Sequence, residues 1–149
     1  MRKNLPIVLL FLALFGGWLL WVRDWYQSVT PAGSGLADHL EQRPPAMWRR
    51  VVVVAGQEHL LLFGPWQMFP RYPSGPPVYV FDPAGRLVDW TPDEGDDEAF
   101  NERWPGLFAG RELTPEQVAA WPGAVVAVER KAGWEVVYPP GFVGPFLPE

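Results

Sequence analysis

Nineteen consecutive residues without a formal charge, Asn4 to Val22 (NLPIVLLFLALFGGWLLWV), set the strongest constraint on this chain. As an α-helix they span roughly 28 Å, close to the hydrocarbon thickness of a bilayer. A helix satisfies its own backbone hydrogen bonds and so can cross lipid. Pro6 falls in the first turn, where a missing N–H costs least. Trp18, Trp21 and Trp25 share one helix face, with Tyr26 beside them, and Arg23 and Asp24 mark a water boundary. These residues are the expected aromatic belt at the far membrane interface. Packing of the same stripe against another protein helix is the alternative. Arg2 and Lys3 precede the span, while only Arg23 and the distant Arg43 follow it closely. The positive-inside rule then puts the N-terminus in the cytoplasm and the rest outside it, in the periplasm of a Gram-negative cell.

A cleaved signal peptide is the rival reading. It needs a short apolar core and a nearby small-residue cleavage site. Here the core is long and ends in WLLWVRDWYQ, and the first small-residue site, Gly35-Leu36-Ala37, lies far downstream. An uncleaved signal-anchor is therefore expected, with membrane lipid contacted through residues 5–22. Gly16 and Gly17 are adjacent and make no GxxxG motif, so a helix-dimer seam is not indicated.

Residues 24–46 (DWYQSVTPAGSGLADHLEQRPPA) read as a linker. TPAGSG is turn-forming and flexible. Leu36 to Gln42 is long enough for two helical turns, stopped by Pro44 and Pro45. The expected organisation is a cytoplasmic N-terminus and transmembrane helix over 1–23, a linker over 24–46, and an extracytoplasmic β-rich domain over 47–149. From Asp24 onward nine Lys and Arg face all seventeen Asp and Glu, a net charge of −8. An acidic domain repels phosphate backbones, which argues against nucleic acid as a partner. The chain has no cysteine, so disulfides, thiolate metal sites and a Cys nucleophile are excluded.

Eighteen prolines and fifteen glycines rule out long helices over most of the remainder and favour short strands joined by tight turns. Arg49 to Val54 is rich in β-branched residues and reads as a strand. Ala55-Gly56-Gln57-Glu58 turns the chain and His59 to Phe63 returns, with at least one strand of the pair buried on both faces. Val78 to Phe81 and Arg86 to Trp90 make a second hairpin. Its turn, Asp82-Pro83-Ala84-Gly85, has Asp at the first position, Pro at the second and Gly at the fourth. The stretch YVFDPAGRLVDW resembles one unit of the tyrosine–aspartate (YD) repeats of large bacterial toxin shells. The resemblance covers about a dozen residues and implies a hairpin, with no function carried over. Asp96 or Asp97 is placed to cap a short helix that brings Phe100 and Trp104, four apart, to the core together. Thr114-Pro115-Glu116-Gln117 is a capping-box pattern opening a helix that runs to about Trp121. Ala124 to Arg130 and Gly133 to Tyr138 read as a third hairpin. The tail, PPGFVGPFLPE, is too rich in Pro and Gly to be regular and offers Phe142 and Phe146 to the core. The sum is an α+β class: an apolar helix, then a mostly antiparallel sheet of about six strands in hairpins with two short helices.

Chemistry-bearing motifs are sparse. There is no G-x-S-x-G nucleophile elbow, no HExxH and no phosphate-cradling glycine loop. His39 lies in the linker, and His59 opens a strand beside Glu58. No catalytic residue and no cofactor is expected. The acidic run supplies oxygen ligands of the kind that bind Ca²⁺, with Asp93, Asp96 and Asp97 as the candidates. It departs from the EF-hand pattern, and a solvated loop capping a helix is the preferred reading. The loop Gly64 to Pro77 carries Trp66, Met68, Phe69, Arg71 and Tyr72, residue types enriched at interface anchors. Trp66, Phe69, Arg71 and Tyr72 are the candidate partner-binding residues, and closure of the domain's own core by these aromatics is the competing reading.

These readings point to a non-enzymatic accessory protein of the bacterial envelope, presenting its domain to a protein partner. An extracytoplasmic ligand- or Ca²⁺-sensing domain is the alternative. An envelope hydrolase using His59 and acidic residues is a third.

Overall fold

The computed structural model describes residues 4–65, 75–124, 126–130 and 133–137. Helix α1 covers Leu5–Val29, 25 residues, and so continues past the uncharged run. Its most apolar stretch is not buried against the rest of the chain, and it is long and apolar enough to span a membrane. The helix stops where Thr30 turns to an extended backbone ahead of Pro31.

A short helix α2 (Leu36–Gln42) leads into an antiparallel sheet. Strands β1 (Trp48–Val54), β2 (Gln57–Phe63), β3 (Val78–Phe81) and β4 (Leu87–Thr91) form a meander, and β5 (Arg111–Glu112) adds to the free edge of β1, giving the order β4-β3-β2-β1-β5. Helix α3 (Glu98–Arg103) follows β4 after a 3₁₀ turn at Glu94–Asp96, and α4 (Pro115–Ala119) follows β5. Strands β6 (Val126–Arg130) and β7 (Gly133–Val137) pair as a separate antiparallel hairpin. The α+β fold expected from the sequence is therefore observed. The two-residue β5 is an addition that no local pattern signalled, because its register comes from Arg50 and Val51 on a distant strand.

Local chemistry explains the turns. Val54 pairs with Gln57, leaving Ala55 and Gly56, both at positive φ, as a two-residue loop whose twist suits a hairpin. In the next hairpin the Asp82 carboxylate accepts from the amides of Ala84 and Arg86, both at 2.9 Å, while Gly85 takes φ +80°. Asp97 caps α3 by accepting from the Phe100 amide at 2.9 Å. The capping box at Thr114 and Gln117 forms in both directions.

The sheet is buried on both faces. Strand alternation sends Leu60, Leu62, Tyr79 and Phe81 to one side, where they meet Leu36, Leu113 and Val118. Leu61, Phe63, Val78 and Val80 go to the other, where Phe100, Trp104 and Leu107 cover them. Burial of four apolar residues in each central strand accounts for their unbroken apolar runs.

Residues 24–46, read from the sequence as a linker, hold the last turns of α1 and all of α2. Leu36 is fully buried and His39 is 6% exposed. The first turn of α2 is held by backbone carbonyls from two turns of the domain, Gly85 to Leu36 N–H at 2.8 Å and Gly123 to Ala37 N–H at 3.1 Å.

Candidate functional site: the seat of the N-terminal helix

An α-helix ends with four carbonyls that have no intrahelical donor. In α1, whose last intrahelical bond runs from the Thr30 amide to the Tyr26 carbonyl at 2.9 Å, these belong to Gln27, Ser28, Val29 and Thr30. Each has a partner. The Thr30 hydroxyl adds a second bond to the Tyr26 carbonyl at 2.7 Å. Arg43 donates to Gln27 at 3.2 Å and to Ser28 at 2.7 Å, and its guanidinium also bonds the Thr30 carbonyl. The Tyr79 hydroxyl donates to the carbonyl of Val29. A guanidinium at this end also complements the negative pole of the helix dipole. Trp25 and Val29, four apart, are buried in the same seat.

His39 lies under this seat. Its ring is 4.4 Å from the Tyr79 ring and 5.5 Å from that of Phe81, between centroids. Burial, with the positive charge of Arg43 adding to it, lowers its pKa to about 4, so the imidazole is neutral at physiological pH. Burial also pushes the Tyr79 phenol up to about 12, against the pull of Arg43. The Nδ1 of His39 and the Nε of Arg43 are buried without a hydrogen-bond partner among the described residues.

Two cavities adjoin His39. A small one of about 20 Å³, lined in part by Ser28, Val29, Arg43 and Tyr79, has room for one water-sized molecule. Ser28 and His39 both face it, but the Ser28 hydroxyl donates to the Trp25 carbonyl at 2.6 Å. The space is too small for a substrate. The second is an open cleft of about 330 Å³. Leu40, Ala46, Leu62 and Val118 give it apolar walls, prolines 44, 45 and 115 stiffen it, and Arg43, Arg49 and His39 supply its polar groups.

The residues singled out in the sequence fall elsewhere. Trp66, Phe69, Arg71 and Tyr72 lie outside the described residues, as do Phe142 and Phe146 of the tail. Trp18 and Trp21 are exposed on α1, whereas Trp25 is 7% exposed and packs into protein. Asp93 is buried and accepts from the Gly75 amide at 2.8 Å, and Asp97 is the α3 cap. Asp96 is exposed. Among the described residues no group of three His, Asp or Glu side chains is placed to hold a metal ion. The His59 ring sits 5.0 Å from that of Trp104 and its Nδ1 lies 3.1 Å from the Gln57 carbonyl.

Arg43, Tyr79, His39 and Arg49 were not singled out by their sequence context. A signal did exist for the seat: Trp21, Trp25 and Val29 recur every four residues across the charged boundary, which extends one helix face as far as Thr30-Pro31. Compared with protein-family models, with curated proteins and with solved structures, the chain matches none.

Proposed function

We propose that this chain is a single-span, membrane-anchored accessory protein of the bacterial envelope that holds a small α+β domain in a fixed orientation at the membrane surface for a protein partner. The observation that carries the reading is the seat of α1. All four of its orphan terminal carbonyls are engaged, three of them by Arg43 and one by Tyr79. An anchor joined through a flexible linker would leave the domain free to tumble. An anchor seated this way transmits its own tilt and rotation to the domain.

A non-catalytic role fits the same residues. The carboxylates of Asp93, Asp97 and Asp89 are each committed to backbone or side-chain donors, and His59 contacts Trp104 and Gln57. These commitments also weigh against the acidic loop as a calcium sensor. The orientation proposed is N-terminus in the cytoplasm and domain outside.

Two measurements test the proposal. The chain lacks cysteine, so Val53→Cys, at an exposed position of β1, is a unique label site. Labelling of intact cells or spheroplasts by a membrane-impermeant maleimide is expected, and labelling only after lysis would overturn the orientation. Affinity purification of the full-length protein in mild detergent should recover one stoichiometric membrane or envelope partner. Recovery of the chain alone at native expression level would remove the accessory role.

A further inference from the structure

The cleft beside the α1 seat has a chemical character of its own. Among the described residues its lining contains two arginines and a histidine but no carboxylate. Glu116 is close enough to Arg49 to feel its charge, yet it stands outside the lining. Arg49 donates to the carbonyls of Leu113 at 3.1 Å and Ala46 at 2.9 Å, which fixes the guanidinium without neutralising it. Arg43 is fixed likewise by the α1 carbonyls. Neither is in an ion pair among the described residues. An occupant must bring acceptor oxygens and negative charge for one side and hydrocarbon for the other.

Position narrows the class. Arg43 grips α1 at Gln27 and Ser28, five and six residues past Val22. That is about 8–9 Å of helical rise beyond the uncharged run, at the outer edge of a headgroup layer. The amphiphile most abundant there is lipid.

We propose that the cleft binds an anionic phospholipid of the leaflet from which α1 emerges, its phosphate between Arg43 and Arg49 and its proximal methylenes along Leu40, Ala46, Leu62 and Val118. Arg49, with its Nη2 uncommitted among the described residues, has N–H groups to match phosphate oxygens, while Arg43, whose Nη2 is spent on two carbonyls, contributes mainly its charge. A cleft of about 330 Å³ accommodates a headgroup with part of a chain and leaves the chain ends in the bilayer. The lipid would then lock the rim of the α1 seat, since Arg43 serves both. This inference rests on the membrane-anchored reading.

The test uses the full-length protein, delipidated in a non-ionic detergent. It is titrated separately with phosphatidylglycerol, phosphatidylcholine and water-soluble glycerol phosphate, reading Tm and bound lipid by native mass spectrometry. Phosphatidylglycerol should bind at one per chain and raise Tm by several °C at saturation, with little effect from the other two. Leu40→Glu puts a negative charge on an exposed part of the wall and should weaken phosphatidylglycerol binding at least tenfold. Arg49→Gln should do the same. Equal shifts with phosphatidylcholine, equal shifts with glycerol phosphate, or undiminished binding by both variants would overturn the lipid site. The titration is read on purified protein, so its failure leaves anchoring untouched; failure of anchoring appears instead as recovery of the chain in the soluble cell fraction.

Discussion

The Tyr79 hydroxyl, in the middle of β3, donates to the carbonyl oxygen of Val29 at the end of α1, a residue fifty positions earlier. The bond joins the interior of the sheet to the last turn of the apolar helix. Tyr79→Phe keeps the ring and its packing against His39 and Trp90 but leaves a buried carbonyl without a donor. The expected loss is ~1–3 kcal/mol of unfolding free energy. Denaturant melting of the full-length protein in detergent measures it. The wild type should also lose stability as pH rises above 10 toward about 12, because the unfolded phenol ionises before the buried one. Tyr79→Phe should lack that contribution.

His39 makes the seat sensitive to acid. Its folded pKa of about 4 lies below the ordinary 6.5, because burial disfavours the imidazolium. Above pH 6.5 both folded and unfolded states hold it neutral, and its contribution is complete. Between 6.5 and about 4 the unfolded state takes up a proton that the folded state refuses, so stability falls with pH by roughly 3 kcal/mol in total. Below that window both states are protonated and the contribution is flat. His39→Phe retains an aromatic ring beside Tyr79 and Phe81 and removes the titration. Urea melts at pH 7, 6 and 5 should converge for the variant and diverge for the wild type.

Asp97 separates two readings of the acidic loop. As the α3 cap it receives the Phe100 amide. Asp97→Ala should therefore cost about 1 kcal/mol, the usual value of a cap. That cost should be the same with millimolar Ca²⁺ or with chelator. A cost that appears only with Ca²⁺ would restore the carboxylates as a cation site.

What could be read from the sequence depended on distance along the chain. The Asp82–Gly85 turn, the Thr114–Gln117 capping box and the joint burial of Phe100 and Trp104 are all local. Each follows from residues within four positions of one another, where backbone geometry fixes who meets whom. The uncharged run was legible for the same reason. The seat was not. Arg43 reaches carbonyls 13 to 16 residues earlier, and Tyr79 reaches one fifty residues earlier. A segment rich in Thr, Pro, Gly and Ser has the composition of a tether, yet Leu36 within it is wholly buried. Composition reports what a segment can bury on average, and it does not reveal that one Leu and one His three residues apart, with the Gly85 and Gly123 carbonyls, dock α2.

Asp89 is the tie between β4 and the helix covering the second face of the sheet. Its carboxylate accepts from the Trp104 indole N–H at 2.8 Å and from Arg103 at 2.7 Å, and also from the Trp90 amide at 2.9 Å. Burial raises its pKa, but these hydrogen bonds and the guanidinium outweigh burial and hold it below the ordinary value. The sign follows directly: the folded state favours the carboxylate, so this stabilisation is present above the unfolded pKa near 4 and is lost as pH falls below it. Asp89→Ala strands the buried Trp104 indole N–H and frees α3, with an expected cost of ~2–3 kcal/mol at pH 7. Asp89→Asn keeps an acceptor for the indole and loses only the charge, so it should cost about half as much. Far-UV circular dichroism during urea unfolding follows both variants, with Asp89→Ala expected to unfold first. Equal midpoints for the two would mean that the ion pair with Arg103, not the indole bond, holds α3 to the sheet.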